Sequence, residues 1–286
     1  MEEKVEKLRN AIKSNPNLSE EFKCNVGTLT DLIVTIFPDY NYSYMEGILS
    51  SLKLVNDDNT ESYSSYNRDT NTLSFNTGRI FEDRIDMQHL FLNEILKAST
   101  TTSVGYEGFK EAATESISSL INADDSMKKL NPQEHLLMSI FSEIVDPSII
   151  VAAYMNGSVV DVIAYLDTMD ISKQEFDKFA SSLETLHSGE KGNTSFADAE
   201  VQMIDMYKKV IKKQLENGAL SVADVNSKFD KFGEMLIFNR SELISLYPHH
   251  DFSNMYGFEN VGKSLGEAIM SFENQEEVLD VPVHSK

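Results

Sequence analysis

Apolar residues recur three and four positions apart through most of the chain. Phe22, Val26, Leu29, Ile33 and Phe37 form one such stripe, ended by Pro38, and the spacing predicts an amphipathic helix. The first 55 residues read as two or three helices. Between Val55 and Phe81 the pattern breaks. Asn, Asp, Ser and Thr dominate there, and the strand-like runs are Tyr63-Ser-Ser-Tyr66 and Thr72-Leu-Ser-Phe-Asn76. Asn67-Arg-Asp-Thr-Asn71 separates them with turn-forming side chains, so the segment predicts an antiparallel hairpin.

From Glu82 onward helical periodicity returns with explicit start marks. Asn131-Pro132 and Asp146-Pro147 each place a capping side chain before a proline at the first helical position, where the missing N–H costs nothing. Ser172-Lys-Gln-Glu175 and Ser221-Val-Ala-Asp224 have the spacing of capping boxes. His187-Ser-Gly-Glu-Lys-Gly-Asn193 reads as a hinge or long loop. After Lys263 come Glu267, Glu273, Glu276, Glu277 and Asp280, which predict a frayed, solvated acidic tail.

Composition narrows the picture. Thirteen glycines and six prolines in 286 residues are few, and a 41% hydrophobic fraction excludes a disordered chain. Lys and Arg total 25 against 46 Asp and Glu, a net charge of −21 that repels phosphate backbones and anionic lipid headgroups. Neither a nucleic acid nor a membrane is therefore expected as a partner. The single cysteine, Cys24, makes an intrachain disulfide impossible, and its acidic neighbours disfavour a reactive thiolate. With a charged amino-terminal stretch and no apolar run of membrane length, the expected localisation is cytoplasmic.

The chemistry-bearing residues lie on two segments that read as helices. The first is His89-Leu-Phe-Leu-Asn93-Glu94-Ile-Leu-Lys97-Ala-Ser99, and the second is Gly105-Tyr-Glu-Gly-Phe-Lys-Glu111-Ala-Ala-Thr-Glu115. Asn93 and Lys97 share a helical face with Glu94 beside them, and Glu111 and Glu115 share another. If the helices pack together, the two faces can meet.

This arrangement resembles the gluzincin type of zinc metallopeptidase, in which His-Glu-x-x-His on one helix supplies two zinc ligands and a general base, and a following helix supplies a glutamate ligand. More narrowly, it is similar to proteins of low-GC Gram-positive bacteria that carry His-Glu-x-x-His-x-Ala-Ser and then Gly-Leu-Asn-Glu-Gly-x-Thr-Glu. Glu94, Ala98 and Ser99 match the first motif, whereas Asn93 and Lys97 stand at its histidine positions. Gly108, Glu111, Thr114 and Glu115 match the second, and Lys110 and Ala112 depart from it. The resemblance spans roughly residues 20 to 170.

It implies a helix-dominated α+β fold. Residues 1–170 would form a zincin-like unit with a small antiparallel sheet and a degenerate metal site, and residues 171–286 a helical carboxy-terminal subdomain with the acidic tail. An asparagine oxygen is a poor zinc ligand, and a lysine ammonium has no lone pair to offer. The resemblance so altered implies no metal or other cofactor, a vestigial base in Glu94, and a structural cation in Lys97 facing Glu94 and Glu111. The expected function is that of a non-catalytic pseudo-metallopeptidase acting as a protein-binding or regulatory module, its partner another protein. Two alternatives stand beside it. One is a metallohydrolase whose metal site is rebuilt from His89, Glu111 and Glu115, or from His89, Asn93 and Glu111, with Glu94 as base. The other is an acidic helical adaptor unrelated to zincins.

Two weaker motifs remain. His249-His250-Asp251 after Pro248 reads as a solvated turn. Gly257 to Ser264 literally fits Gly-x4-Gly-Lys-Ser, but no apolar strand precedes it to aim a phosphate loop, so a helix is expected there. Twelve methionines and sixteen phenylalanines spread along the helical stripes read as core.

Overall fold

The computed structural model describes residues 2–60, 62–83, 85–100, 106–121, 131–188, 195–246 and 258–279. The chain divides into two compact units whose segments interleave. The first comprises Met1–Ser103, Thr114–Leu130 and Tyr154–Gly157, and the second Val104–Ala113, Asn131–Ala153 and Ser158–Lys286.

The first unit opens with three helices, α1 (Glu2–Ser14), α2 (Glu20–Ile36) and α3 (Ser43–Ser51). Ser19 caps α2 by accepting the Phe22 N–H, and α2 ends at Ile36, two residues before Pro38. Leu8, Ile12, Ile33, Met45, Leu49 and Leu52 pack its aliphatic core. Buried Asn15 donates to the carbonyls of Leu49 and Leu52 at 2.8 and 3.0 Å, tying the end of α1 to the end of α3.

The expected hairpin is present as β2 (Ser64–Asn67) and β3 (Thr72–Phe75), antiparallel with Ser64 opposite Phe75. Asn71 sits in its turn at φ 49°, a left-handed conformation that asparagine tolerates. The sheet differs from expectation in one respect. A third strand, β1 (Lys53–Asn56), pairs parallel to β3, giving the order β1-β3-β2 and a mixed sheet. Four residues following directly on a helix carry no readable period, which is why the sequence hid this strand. Leu73 and Phe75 of the central strand face the core. After the short α4 (Thr77–Asp83), helix α5 (Met87–Ser99) packs against α3 and β2.

Helix α6 (Glu107–Ile121) begins in the second unit and ends in the first. At its start Gly108 donates to the Glu184 carboxylate at 2.7 Å. A Cβ at Gly108 would lie 2.4 Å from the Glu184 nitrogen, so this backbone approach requires glycine.

The rest of the second unit is helical among its described residues. Its helices are α7 (Pro132–Phe141), α9 (Val160–Thr168), α10 (Lys173–His187), α11 (Ser195–Glu216), α12 (Val222–Leu246) and α13 (Phe258–Leu279), with α8 (Pro147–Asn156) shared between the units. The starts predicted for α7, α8, α10 and α12 all fall where expected. Ser172 and Glu175 form the complete reciprocal capping box. Asp146 accepts from the Ser148 N–H and hydroxyl, which holds its carboxyl below the usual carboxylate range. Asn131 precedes Pro132 as expected, but its side chain makes no capping hydrogen bond. The core here is aromatic, with Phe141 stacked on Phe179 at 4.7 Å and Tyr207 on Phe232 at 4.0 Å.

Three expectations meet the described boundaries. The hinge at Gly189 to Asn193 and the His249-His250-Asp251 turn lie outside the described residues. The acidic end is helical through Leu279, so a frayed tail does not begin at Lys263; helix α13 carries that stretch. Gly262, Lys263 and Ser264 sit within α13, where Lys263 pairs with Glu267 at 3.8 Å, so the described part of the motif, residues 258–264, is helix; Gly257 lies outside the described residues. Among the described residues no helix is long and apolar enough to cross a membrane.

Candidate functional site

Helix α5 is started by Asp86, whose carboxylate accepts from the N–H groups of Gln88 and His89. From His89 to Ser99 every residue except Lys97 is buried, a helix enclosed nearly all round. Its polar residues therefore need partners, because an unmet buried donor costs about 1–3 kcal/mol.

His89 and Asn93 find them on the part of α6 that belongs to the same unit. His89 Nε2 lies 2.7 Å from Glu115 Oε1 and donates to it. Asn93 Nδ2 donates to Glu115 Oε2 at 2.9 Å, and Ser118 Oγ donates to Asn93 Oδ1 at 2.7 Å. His89 is 3% exposed and Asn93, Glu115 and Ser118 are 0% exposed. The Thr114 hydroxyl donates to the Tyr154 hydroxyl at 2.9 Å, extending the polar seam along α6. Glu115 is the hub, and each of its two oxygens takes a donor from a different turn of α5. The sequence placed His89 and Asn93 on one face four residues apart and named Glu115 as a neighbour. It missed Ser118, for which the one available signal is its spacing of three from Glu115.

Glu94 points elsewhere. Its Oε1 accepts from Ser64 Oγ of β2 at 3.1 Å and lies 3.7 Å from Lys97 Nζ. Ser64 is a second partner that the motifs did not reveal. The Lys97 side chain is 25% exposed, so its pair with Glu94 is only partly shielded from water. Glu111 lies on the portion of α6 that belongs to the second unit. Among the described residues no group of three His, Cys, Asp or Glu side chains is arranged to hold a metal ion. Cys24 is exposed on α2.

A second buried polar cluster lies wholly in the second unit and had no sequence signature. Glu200 on α11 and Arg240 on α12 are 0% and 3% exposed, with Arg240 Nη2 3.2 Å from Glu200 Oε2. The distance is that of an ion pair, but neither Glu200 oxygen receives an aligned hydrogen bond. Loss of hydration outweighs the attraction of Arg240, and the Glu200 carboxyl is pushed up to about 8. Burial likewise lowers Arg240, whose guanidinium lies 5.3 Å from the centre of the Phe196 ring.

Comparison with protein-family models, with characterised proteins and with solved structures finds no match to this chain.

Proposed function

We propose that the chain is a non-catalytic, pseudo-metallopeptidase-like module that acts by binding or regulating another protein. The hydrogen bond from Asn93 to Glu115 carries this reading. A metal-ligating histidine almost always donates its second ring N–H to a carboxylate, which fixes the ring and raises its basicity. Position 93, where the resembled motif has its first histidine, donates to a buried carboxylate in that manner. An amide has taken over the hydrogen bond and left no imidazole nitrogen to bind metal. Lys97 at the second histidine position replaces a ligand by a cation, and its ammonium lies near the Glu94 carboxylate. Both Glu115 oxygens are engaged within a buried network, so this carboxylate offers no open position for a reacting group. That closure disfavours a rebuilt hydrolase using His89 and Glu115.

The test restores the missing ligands. Asn93→His with Lys97→His should let the folded protein bind about one zinc ion, with Glu115 orienting the new imidazole. Adding Glu115→Gln should then weaken zinc affinity by about 10- to 100-fold. A double variant with native circular dichroism that gains no zinc would sink the reading. So would zinc affinity indifferent to Glu115, since two histidines four apart on any helix bind zinc weakly without such support.

A further inference from the structure

Helix α12 buries Val225, Phe229, Phe232, Leu236 and Leu243 on one side. Its other side is not polar throughout. Phe238 is 68% exposed, and Ile237 and Ile244, 39% and 46% exposed, lie seven residues apart on a different flank of the helix. Beside Phe238 lies an open concavity of about 600 Å³ lined by Glu143, Lys231, Glu234, Met235 and Phe238. A lone exposed apolar residue needs no explanation, but an exposed aromatic at the wall of a concavity edged by charge offers an interaction surface.

The chemistry of this face narrows its occupant. A small ligand requires walls that bury most of its surface, and an open concavity on one ridge does not supply them. A second copy of the chain would bring like carboxylates face to face in a symmetric interface, against a net charge of −21 on each chain. Nucleic acid and anionic lipid are repelled by the same charge. A basic segment is attracted by it, and Glu143 and Glu234 outnumber Lys231 at the rim. The Phe238 ring gives such a segment both an apolar contact and a face for a cation.

We infer that the Phe238 face of α12 docks a basic amphipathic segment of another protein, an apolar side chain seated against Met235 and Phe238 and flanking Lys or Arg side chains held by Glu143 and Glu234. This inference concerns the second unit and stands independently of the reading of α5. The aromatic anchor supplies affinity, and the rim carboxylates supply on-rate and salt dependence.

The probes are three fluorescent peptides of about 18 residues, the length of a groove-binding helix. One is a Leu/Lys amphipathic helix with a single Phe, one is the same peptide with Glu for Lys, and one is a Gly/Lys peptide of equal charge without apolar residues. The full-length protein should bind the first in anisotropy titrations and neither of the others. Phe238→Ser should weaken it about tenfold or more, and Glu143→Gln with Glu234→Gln should flatten its salt dependence. Phe238 is exposed, so its replacement leaves the fold intact. Equal binding by Phe238→Ser, equal binding of the Gly/Lys peptide, or no binding of the first peptide at about 1 mM would each overturn the inference. Self-association abolished by Phe238→Ser would overturn it in favour of a second copy.

Discussion

The two buried polar clusters solve the same problem differently. In the first unit, His89, Asn93, Glu115 and Ser118 meet through aligned hydrogen bonds of 2.7–2.9 Å, so donors on α5 and carboxylate oxygens on α6 are matched. In the second unit, Glu200 and Arg240 lie 3.2 Å apart without aligned hydrogen bonds to the carboxylate, and burial keeps Glu200 protonated up to about pH 8. A matched network locks the position of its helices, because each member would be left unsatisfied if another moved. An unaligned pair depends on Coulomb attraction to offset the dehydration of both ions, and that balance is close. The first cluster is thus expected to lose most when its hub is truncated, and the second to be a place where stability can be gained.

The largest effect should come from removing the hub. Glu115→Ala strips the acceptor from His89 and Asn93 together and leaves a void, and urea denaturation should show a loss of about 4 kcal/mol. Replacing His89, Asn93, Glu115 and Ser118 together by Phe, Leu, Leu and Ala should cost less than the single truncation, since none of the four network members is then left with an unmet polar group. A loss under about 1 kcal/mol for Glu115→Ala would mean that water reaches the network, and the contrast with the second unit would fail.

A smaller effect of opposite sign is expected at Glu200. Its folded value of about 8 lies above the ordinary 4.5, so between those pH values the folded state holds a proton that the unfolded state lacks. This contribution to stability is fully present below about pH 4.5 and is lost as pH rises towards 8. Glu200→Gln removes it, so the variant should gain on wild type progressively as pH rises from 4.5 and be the more stable of the two at pH 8. The difference between the two proteins is the readout, because the other carboxylates cancel from it. If Glu200→Gln instead destabilises, increasingly so at high pH, the pair is ionised and attractive, and the two clusters are alike.

The contrast also shows what the sequence made legible. Helices with apolar stripes, the proline-led starts of α7 and α8, and the box at Ser172 were readable because their causes are local. The strand β1 was not, because its pairing with β3 joins Lys53 to Thr72 and leaves no mark on either segment alone. On α5 and α6 the spacing named the faces of His89, Asn93 and Glu115 but not the hub, since which carboxylate receives the donors depends on how the helices cross. Lys97 was expected as a cation facing Glu94 and Glu111, and its ammonium lies 3.7 Å from the Glu94 carboxylate. Glu200 and Arg240 were invisible, forty residues apart on different helices whose packing alone makes them neighbours.

The finest test lies at the edge of the first cluster. Ser118 donates to Asn93 Oδ1, and this bond selects the amide orientation in which Nδ2 faces Glu115. Ser118→Ala removes a single donor from a buried carbonyl oxygen. A carbonyl tolerates this better than an N–H does, so the expected loss is about 1 kcal/mol. The amide is still held by Glu115, which accepts only from the nitrogen side and keeps the orientation unchanged. Ser118→Ala in the Asn93→Leu background should then be nearly neutral, because the oxygen it served is gone. Equal losses in both backgrounds would show that Ser118 acts through packing and that the network ends at Asn93.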